Sequence, residues 1–319
     1  MKGLITIGVA LLLLAPAIAV AAPSLTAPDT GLVDIPTASI AANRSFSLAA
    51  SWQQVKGVTP FEGVALEGNA IPIRLVAGIG DRAELGIAWT RLSLDDEGIV
   101  LEDGLPIPTT LHVDSSNLLG FAAKYLVTPE TETMPAVAVG VRYGKLNGLD
   151  GAFAVAVAPT TTAAGQVTVD VTSTTVYAVA SKQLSKAAED VSVPLVTGHL
   201  GIAWQRLKFE EKGAFATIEG GDVVASDSFA DSSSESKLGA FLGVDMSSAA
   251  GTNLGLEFRT KRSAFEPKAI FSALVRHPIT PALTAEAGWT NAMPGLSVGL
   301  DKHGLFVGLS YNFLAATGY

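Results

Sequence analysis

The chain has 319 residues, of which 48% are hydrophobic and 16% are charged, and its formal net charge is −9. Soluble domains usually contain about a quarter charged residues, so an ordinary water-soluble enzyme is disfavoured, and disorder is excluded because disordered chains are poor in hydrophobic residues. After residue 22 no apolar stretch approaches the roughly 20 residues that a membrane-spanning helix needs, which also excludes a helical membrane protein.

Residues 1–21 predict a secretory signal peptide. Lys2 precedes an apolar core at 4–18, and Ala19, Val20 and Ala21 form a small-x-small cleavage site. We therefore expect an exported chain. Because the sequence contains no cysteine, disulfides cannot contribute to its stability.

Alternation with period two dominates the chain after residue 44. In 45–55, for example, Phe46, Leu48 and Trp52 alternate with serine and glutamine. Most of the alternating segments have about the 9–11 residues that a tilted strand needs to cross a bilayer. The predicted strands are 45–55, 71–79, 83–94, 118–127, 136–144, 172–184, 195–207, 237–246, 253–261, 267–276, 282–290, 296–301 and 304–313.

The two faces of these strands differ in residue size. One face carries large apolar side chains, and the other carries glycine, alanine, serine, threonine and isolated charges. A soluble sandwich would have a strongly polar second face, whereas small residues suit the crowded interior of a modest barrel. The pattern therefore favours an all-β, antiparallel transmembrane β-barrel.

The connections also alternate in length. Short links fall at 80–82, 128–134, 247–252 and 277–281, and long ones fall at 56–69, 95–117, 145–171 and 208–236. Short periplasmic turns and long extracellular loops are typical of outer-membrane barrels. Residues 152–171 are predicted to extend their hairpin above the membrane.

The number of strands needs one correction, because thirteen segments alternate and single-chain bacterial barrels usually have an even number. Either 296–301 and 304–313 are not two full crossings, or a strand is hidden near 31–42. We predict about twelve strands, with ten to fourteen open. The expected domains are the signal peptide, a periplasmic or plug segment at 22–44, and the barrel at 45–319.

Charged residues of both signs, and one histidine, fall on the interior parity. They would either set the selectivity of an open pore or pair across a narrow lumen and close it. The sequence shows which face of a strand each residue occupies, but not which residues of neighbouring strands lie opposite each other, so both possibilities stay open. Because there is only about one such charge per strand, a filled or narrow lumen is favoured. The predicted lumen residues are Arg74, Glu84, Lys124, Arg142, His199, Glu257, Arg259 and Glu286.

No residues indicate catalysis, a metal site or a cofactor. His112 is assigned to a long loop and His277 and His303 to turns, and no Ser–His pair suitable for a hydrolase is visible on a strand face. Without cysteine, dispersed histidines do not predict a transition-metal site. We expect His199 to be hydrogen-bonded in the lumen, and the absence of a basic patch argues against nucleic acid as a partner.

Aromatic residues on the apolar parity predict contacts with lipid and with the assembly machinery. An aromatic girdle at the membrane–water boundary is predicted from Trp52, Trp89, Trp204 and Trp289. The last strand resembles the terminal strand of outer-membrane barrels, whose final aromatic residue is read by the barrel assembly machinery. The resemblance assigns that signal to Tyr311 and Phe313, with Tyr319 as the alternative terminal aromatic.

Residues 30–38 read Thr-Gly-Leu-Val-Asp-Ile-Pro-Thr-Ala. They resemble the G-L-I-x-x-P-T-A opening of YjbH-like outer-membrane proteins, which are β-barrels associated with exopolysaccharide production. The resemblance implies an envelope role with polysaccharide as a partner, and it identifies no active residues. Pro36 lacks a backbone donor, so this segment is expected to plug or lead into the barrel.

Three functions are compatible with the sequence. The first is a non-enzymatic outer-membrane β-barrel, serving as a passive channel or as an exopolysaccharide-associated envelope protein. The alternatives are an outer-membrane hydrolase, which would need a catalytic Ser–His pair, and a soluble periplasmic lipid-carrier β-barrel.

Overall fold

The computed structural model describes residues 23–58, 66–94, 110–113, 115–158, 161–185, 194–219, 222–262, 266 and 268–314. The predicted signal peptide and Tyr319 lie outside these residues. Within them no helix is long and apolar enough to cross a membrane. The strands are β1 (Ser45–Val58), β2 (Leu66–Ile79), β3 (Ala83–Leu94), β4 (Thr110–Val113), β5 (Ser116–Thr128), β6 (Ala136–Ala158), β7 (Thr161–Gln183), β8 (Leu195–Glu219), β9 (Asp222–Ser247), β10 (Asn253–Arg259), β11 (Ile270–Pro278), β12 (Leu283–Met293) and β13 (Val298–Leu314).

Twelve of these strands close into one antiparallel barrel, which confirms the predicted fold. Each barrel strand pairs with the next one along the chain, and β1 pairs with β13 from Ser45 opposite Leu314 to Gln53 opposite Phe306. The short strand β4 pairs only with β6, outside the ring. Closure gives the barrel strands partners on both sides, as a sheet in a bilayer requires.

The thirteenth predicted strand is explained by the last hairpin. Residues 296–301 and 304–313 belong largely to the single strand β13, because the turn after β12 occupies 294–297. No strand forms over 31–42, where the described backbone makes only an isolated bridge between Gly31 and Pro36.

Three histidines differ from their predicted locations. His303 lies within β13 and His277 lies within β11, so neither is in a turn. His112 belongs to β4 rather than to an irregular loop.

The segments 145–171 and 208–236 are largely strand rather than long loops. The predicted extension of the hairpin at 152–171 is confirmed, whereas the hairpin at 208–236 was not predicted. The strands β6 and β7 have 23 residues each, and β8 and β9 have 25 and 26. They form two long hairpins that extend past the neighbouring strands at one end of the barrel. We call this the hairpin end, and the opposite end, which carries the link at 80–82, the turn end.

The outer wall of the barrel exposes large apolar side chains. Phe121 is 48% exposed, Ile202 54% and Leu305 60%, and they lie on the parity that the sequence assigned to lipid. Their neighbours on the opposite parity, such as Ala122, Ala203 and Phe306, are buried in the lumen. A wall of this kind is stable only if an apolar medium surrounds it.

Arginine substitutions on the outer wall should show which part of the wall lies in the apolar core of the membrane. Phe121→Arg is expected to lower the free energy of unfolding by about 2–4 kcal/mol, as a charge near the bilayer midplane does. Ala214→Arg is the control, because Ala214 is also exposed, on the same outward parity of β8 as Ile202, but lies in the extended part of β8. Urea unfolding in lipid should show a small loss for the control, and equal losses would contradict the assigned membrane band.

Deletions at the C-terminus should show which residues close the barrel. Removing residues 315–319 leaves the whole pairing of β13 with β1, so we expect a heat-modifiable barrel that still inserts into membranes. Removing 305–319 deletes all of that pairing and should abolish insertion. Failure of the short deletion would instead assign the terminal signal to Tyr319.

Candidate functional site

The barrel encloses the chain that precedes its first strand. We call residues 23–44 the lumen segment, and every residue from 23 to 38 is buried. Two wall glycines allow the close approach of its backbone. A Cβ atom at Gly86 would lie 1.4 Å from the Pro28 carbonyl oxygen, and one at Gly78 would lie 2.0 Å from that of Ala42. Small residues on the inner face therefore make room for the segment.

The first ionic contact joins Asp29 of the segment to the wall. Arg142 donates from Nε to Asp29 Oδ2 at 2.9 Å and from Nη2 to Oδ1 at 2.7 Å. The Tyr177 hydroxyl donates to the same carboxylate at 2.7 Å, and the Arg142 guanidinium lies 5.3 Å from the Tyr177 ring centre. A bidentate pair of this kind fixes both position and orientation.

The second ionic contact surrounds Asp34. Its Oδ2 accepts from Arg259 Nε at 3.2 Å and lies 3.8 Å from Arg262 Nη2, while Oδ1 accepts from the Thr26 hydroxyl at 3.1 Å. Burial alone would raise the pKa of Asp34, but the positive charges of Arg259, Arg262 and Arg142 outweigh burial and hold the pKa below its ordinary value. Asp34 therefore favours its charged form inside the lumen.

Two wall carboxylates bind backbone donors of the segment. Glu257 accepts three successive N–H groups, from Val33 at 3.0 Å, Asp34 at 2.8 Å and Ile35 at 3.1 Å. Glu84 accepts the Thr30 N–H at 2.8 Å and the Ala41 N–H at 2.8 Å. These bonds satisfy a buried, irregular backbone that has few internal partners.

The positively charged wall residues bind the carbonyl groups of the same segment. Arg276 donates to the carbonyl oxygens of Gly31 at 3.0 Å, Pro23 at 2.8 Å and Leu32 at 3.0 Å. Arg74 donates to the Ser24 carbonyl. Glu286 lies 3.4 Å from Arg74 and 3.3 Å from Arg276 and pairs with both. Lys124 pairs with Glu84 at 2.9 Å and also donates to the Thr30 carbonyl oxygen at 2.9 Å.

The buried Lys, Arg, Asp and Glu charges among the described residues balance. The six positive groups are Arg74, Lys124, Arg142, Arg259, Arg262 and Arg276, and the six negative groups are Asp29, Asp34, Glu84, Glu257, Glu266 and Glu286. The lumen segment contributes only Asp29 and Asp34. Without it, this set would have six positive and four negative groups.

Besides the lumen segment, a turn also fills the lumen towards the hairpin end. The turn at 294–297 folds inward, and its Leu296 carbonyl accepts from Ser173 Oγ at 3.1 Å and from Gln205 Nε2 at 2.9 Å. Leu296 packs with buried apolar residues of the wall, including Leu92 and Leu118. The turn also meets the lumen segment directly, because Gly295 N donates to the Thr26 carbonyl at 2.5 Å.

Three adjacent strands bring Ser181, His199 and Asp245 together, which the sequence reasoning missed. Ser181 Oγ lies 2.8 Å from His199 Nδ1, and His199 Nε2 lies 2.6 Å from Asp245 Oδ2. This order of groups could activate a serine nucleophile. However, Ser181 is only 4% exposed, and its Oγ accepts the Ala38 N–H at 2.8 Å. In this structure the group anchors the lumen segment.

All eight predicted lumen residues are buried. Seven of them contact the segment or one another, and His199 instead contacts Ser181 and Asp245. The sequence reasoning missed Arg276, although it shares the inward parity of Ser272 and Leu274. It also missed Asp29 and Asp34, which lie in a segment without periodicity, and Arg262 and Glu266, which lie in a connection. For these last four groups, only the tertiary fold reveals their place in the lumen.

The predicted aromatic residues lie on the outer wall. Trp52, Trp89 and Trp204 are 40–41% exposed. Trp289 is half-buried and packs against Phe271 and His303, with ring centres 5.2 and 4.7 Å apart. Their role as a girdle remains a prediction. The rings of Tyr311 and Phe313 lie 4.5 Å apart on the last strand, where their role in assembly also remains a prediction.

No protein-family model and no curated protein matches the sequence. Among solved structures, the translocator domain of the autotransporter NalP from Neisseria meningitidis is 15% identical, with a TM-score of 0.49, covering 85% of this chain and 90% of that one. The Ralstonia pickettii toluene transporter TbuX is 12% identical, with a TM-score of 0.38 and coverage of 95% and 98%. The Acinetobacter baumannii outer membrane protein Omp33 is 10% identical, with a TM-score of 0.36 and coverage of 85% and 100%. At these values the likeness does not extend to function.

Proposed function

We propose that the protein is a non-enzymatic channel of the bacterial outer membrane, held closed by the lumen segment, and that its open form favours anions. The observation that carries the proposal is the set of ionic contacts joining Asp29 and Asp34 to wall arginines. In this proposal residues 22–44 are the plug, residues 45–319 are the barrel, and the turn end faces the periplasm.

The outer wall supports a membrane location over a soluble lipid carrier. A carrier would turn its large apolar side chains towards an internal ligand, whereas here they are exposed on the outside and the lumen holds polar and charged groups. The predicted signal peptide supports export. Outer-membrane lipids and the barrel assembly machinery are therefore the proposed partners.

A closed channel accounts for the lumen better than a permanently solid barrel does. Much of the blocking material belongs to one chain segment before β1, and the wall behind it carries its own charges. Once Asp29 and Asp34 leave, six positive and four negative buried groups remain around the lumen. Arginine and lysine favour anions in pores, so the open lumen should attract small anions.

The other functions have weaker support. A hydrolase would require a substrate carbonyl to reach Ser181, whose Oγ instead accepts a backbone N–H group. An exopolysaccharide-associated role remains a prediction from the resemblance at 30–38, since the contacts of these residues are internal to the barrel.

Planar-bilayer recordings should test the closed state. We expect the natural protein to conduct poorly, because its lumen is filled. Asp29→Asn combined with Asp34→Asn leaves Arg142 and Arg259 without their carboxylates, a loss of about 3–5 kcal/mol for each broken buried pair. This variant should show higher conductance, limited by the turn at 294–297 that still narrows the hairpin end, and its reversal potential in a tenfold KCl gradient should indicate anion preference.

The matched control is Glu67→Gln combined with Asp301→Asn, which removes two exposed carboxylates outside the lumen. Its conductance should equal that of the natural protein. Large steady currents through the natural protein would contradict a closed lumen. Cation preference in the open variant would contradict the assigned selectivity.

A further inference from the structure

The hairpin end carries a long sheet edge that the barrel does not use. The strand β9 pairs with β8 along its length, but it pairs with β10 only from Phe241 to Ser247. Residues 222–239 therefore have no strand partner on their second side among the described residues. At about 3.3 Å per residue, this edge is about 60 Å long.

The other edge of the same extended sheet is partly covered. There, β4 pairs with Gly151–Ala154 of β6. On β9, nearly all residues from 222 to 238 are exposed. Natural proteins usually cover such edges or blunt them with charges, because an open edge is a template for another strand.

The contacts of Ala240 show which groups point to the open side. Thr260 N donates to the Ala240 carbonyl at 3.0 Å, and Ala240 N donates to Thr260 Oγ1 at 3.0 Å. Pairing with β8 is regular from 225 to 247. Even-numbered residues from 226 to 238 therefore direct both N–H and C=O to the open edge, while odd-numbered residues bond to β8.

Between residues 226 and 238 the charged residues of β9 are all odd-numbered. Their positions select one register for pairing between the β9 strands of two copies. When two copies pair antiparallel about Ser232, Asp227 of each lies opposite Lys237 of the other. Moving the centre to residue 231 places Asp231 opposite itself, and moving it to 233 places Asp231 opposite Glu235. Opposite charges stabilise cross-strand pairs and like charges destabilise them.

The register about Ser232 also gives a long interface. It pairs residues 225–239, and its hydrogen-bonding sites are the even-numbered residues that point outward. Asp227 and Lys237 then meet at non-hydrogen-bonded sites, where opposite side chains approach most closely. A register about Ser234 would pair Lys237 with Asp231, but over fewer residues.

The direction of β9 determines where the second copy lies. In each copy β9 runs from its hairpin tip towards the barrel, so antiparallel partners have their barrels at opposite ends of the joint sheet. Two barrels in one membrane, with the same orientation, cannot pair in this way. We propose that β9 joins two copies of this protein across opposing membranes by antiparallel β-strand addition centred on Ser232.

Vesicles that contain the purified full-length protein test this inference directly. Two populations of phosphatidylcholine vesicles, each with its own dye, are mixed. The fraction of coincident signals in fluorescence cross-correlation should be several-fold higher than for protein-free vesicles. Asp227→Lys alone and Lys237→Asp alone should each reduce coincidence to that level. Mixing the two variant populations should restore it, because both cross-strand pairs then join opposite charges.

Three controls distinguish this interface from general charge effects. Lys212→Asp on β8 makes the same change away from the edge and should leave coincidence unchanged. Mixing vesicles that carry Asp231→Lys with vesicles that carry Lys237→Asp should not restore coincidence, because residue 231 faces Ser233 in this register. The double variant Asp227→Lys, Lys237→Asp should cluster with itself. Heat-modifiable migration checks that each variant is folded.

Absence of coincidence for the natural protein would overturn the proposal. So would failure of the mixed populations, or of the double variant, to restore coincidence when both proteins are folded. Association found only between copies within one vesicle would overturn the trans geometry. None of these changes lies in the lumen, so conductance tests the proposed channel separately.

Discussion

The structure depends on the compensation of buried charge. A barrel of this width must fill its interior, and here the filling includes ionised groups that cannot reach water. Such groups are tolerated when a partner of opposite charge or a set of hydrogen bonds compensates each of them. The pairing of Asp29 with Arg142 and of Asp34 with Arg259 meets this requirement by joining the wall to a segment from outside the sheet. The interior is therefore specified as much by electrostatics as by shape.

The sequence predicted those features that follow from side-chain periodicity. Because alternate residues face lipid and lumen, the parity of Phe121 and Lys124 could be assigned without knowing which strands pair. The partners of Lys124 could not be predicted, since Thr30 and Glu84 come from a segment without periodicity and from another strand. The second long hairpin, formed by β8 and β9, was missed for a related reason. Residues such as Asp227 and Ser233 have water on both faces, so no alternation marks them as strand.

The strand β8 illustrates how one element serves three environments. Near the turn end it places His199 in the lumen, and further along it places Trp204 on the outer wall. Beyond the neighbouring barrel strands it carries charged residues such as Glu210, whose pKa is lowered by a hydrogen bond from Lys208. The backbone pairing with β9 keeps one register from Leu195 to Thr217. The chemical environment therefore changes along the strand while its hydrogen-bonding pattern does not.

The position of the lumen segment before β1 has a consequence for the order of assembly. Its contacts reach from Arg74 on β2 to Arg276 on β11, so they are complete only when nearly the whole sheet is present. The final seam joins β1 to β13. A sheet that sealed first would trap uncompensated arginines in its interior and exclude the segment that neutralises them. The segment is therefore best placed to act as a template, around which the sheet curls before the seam closes.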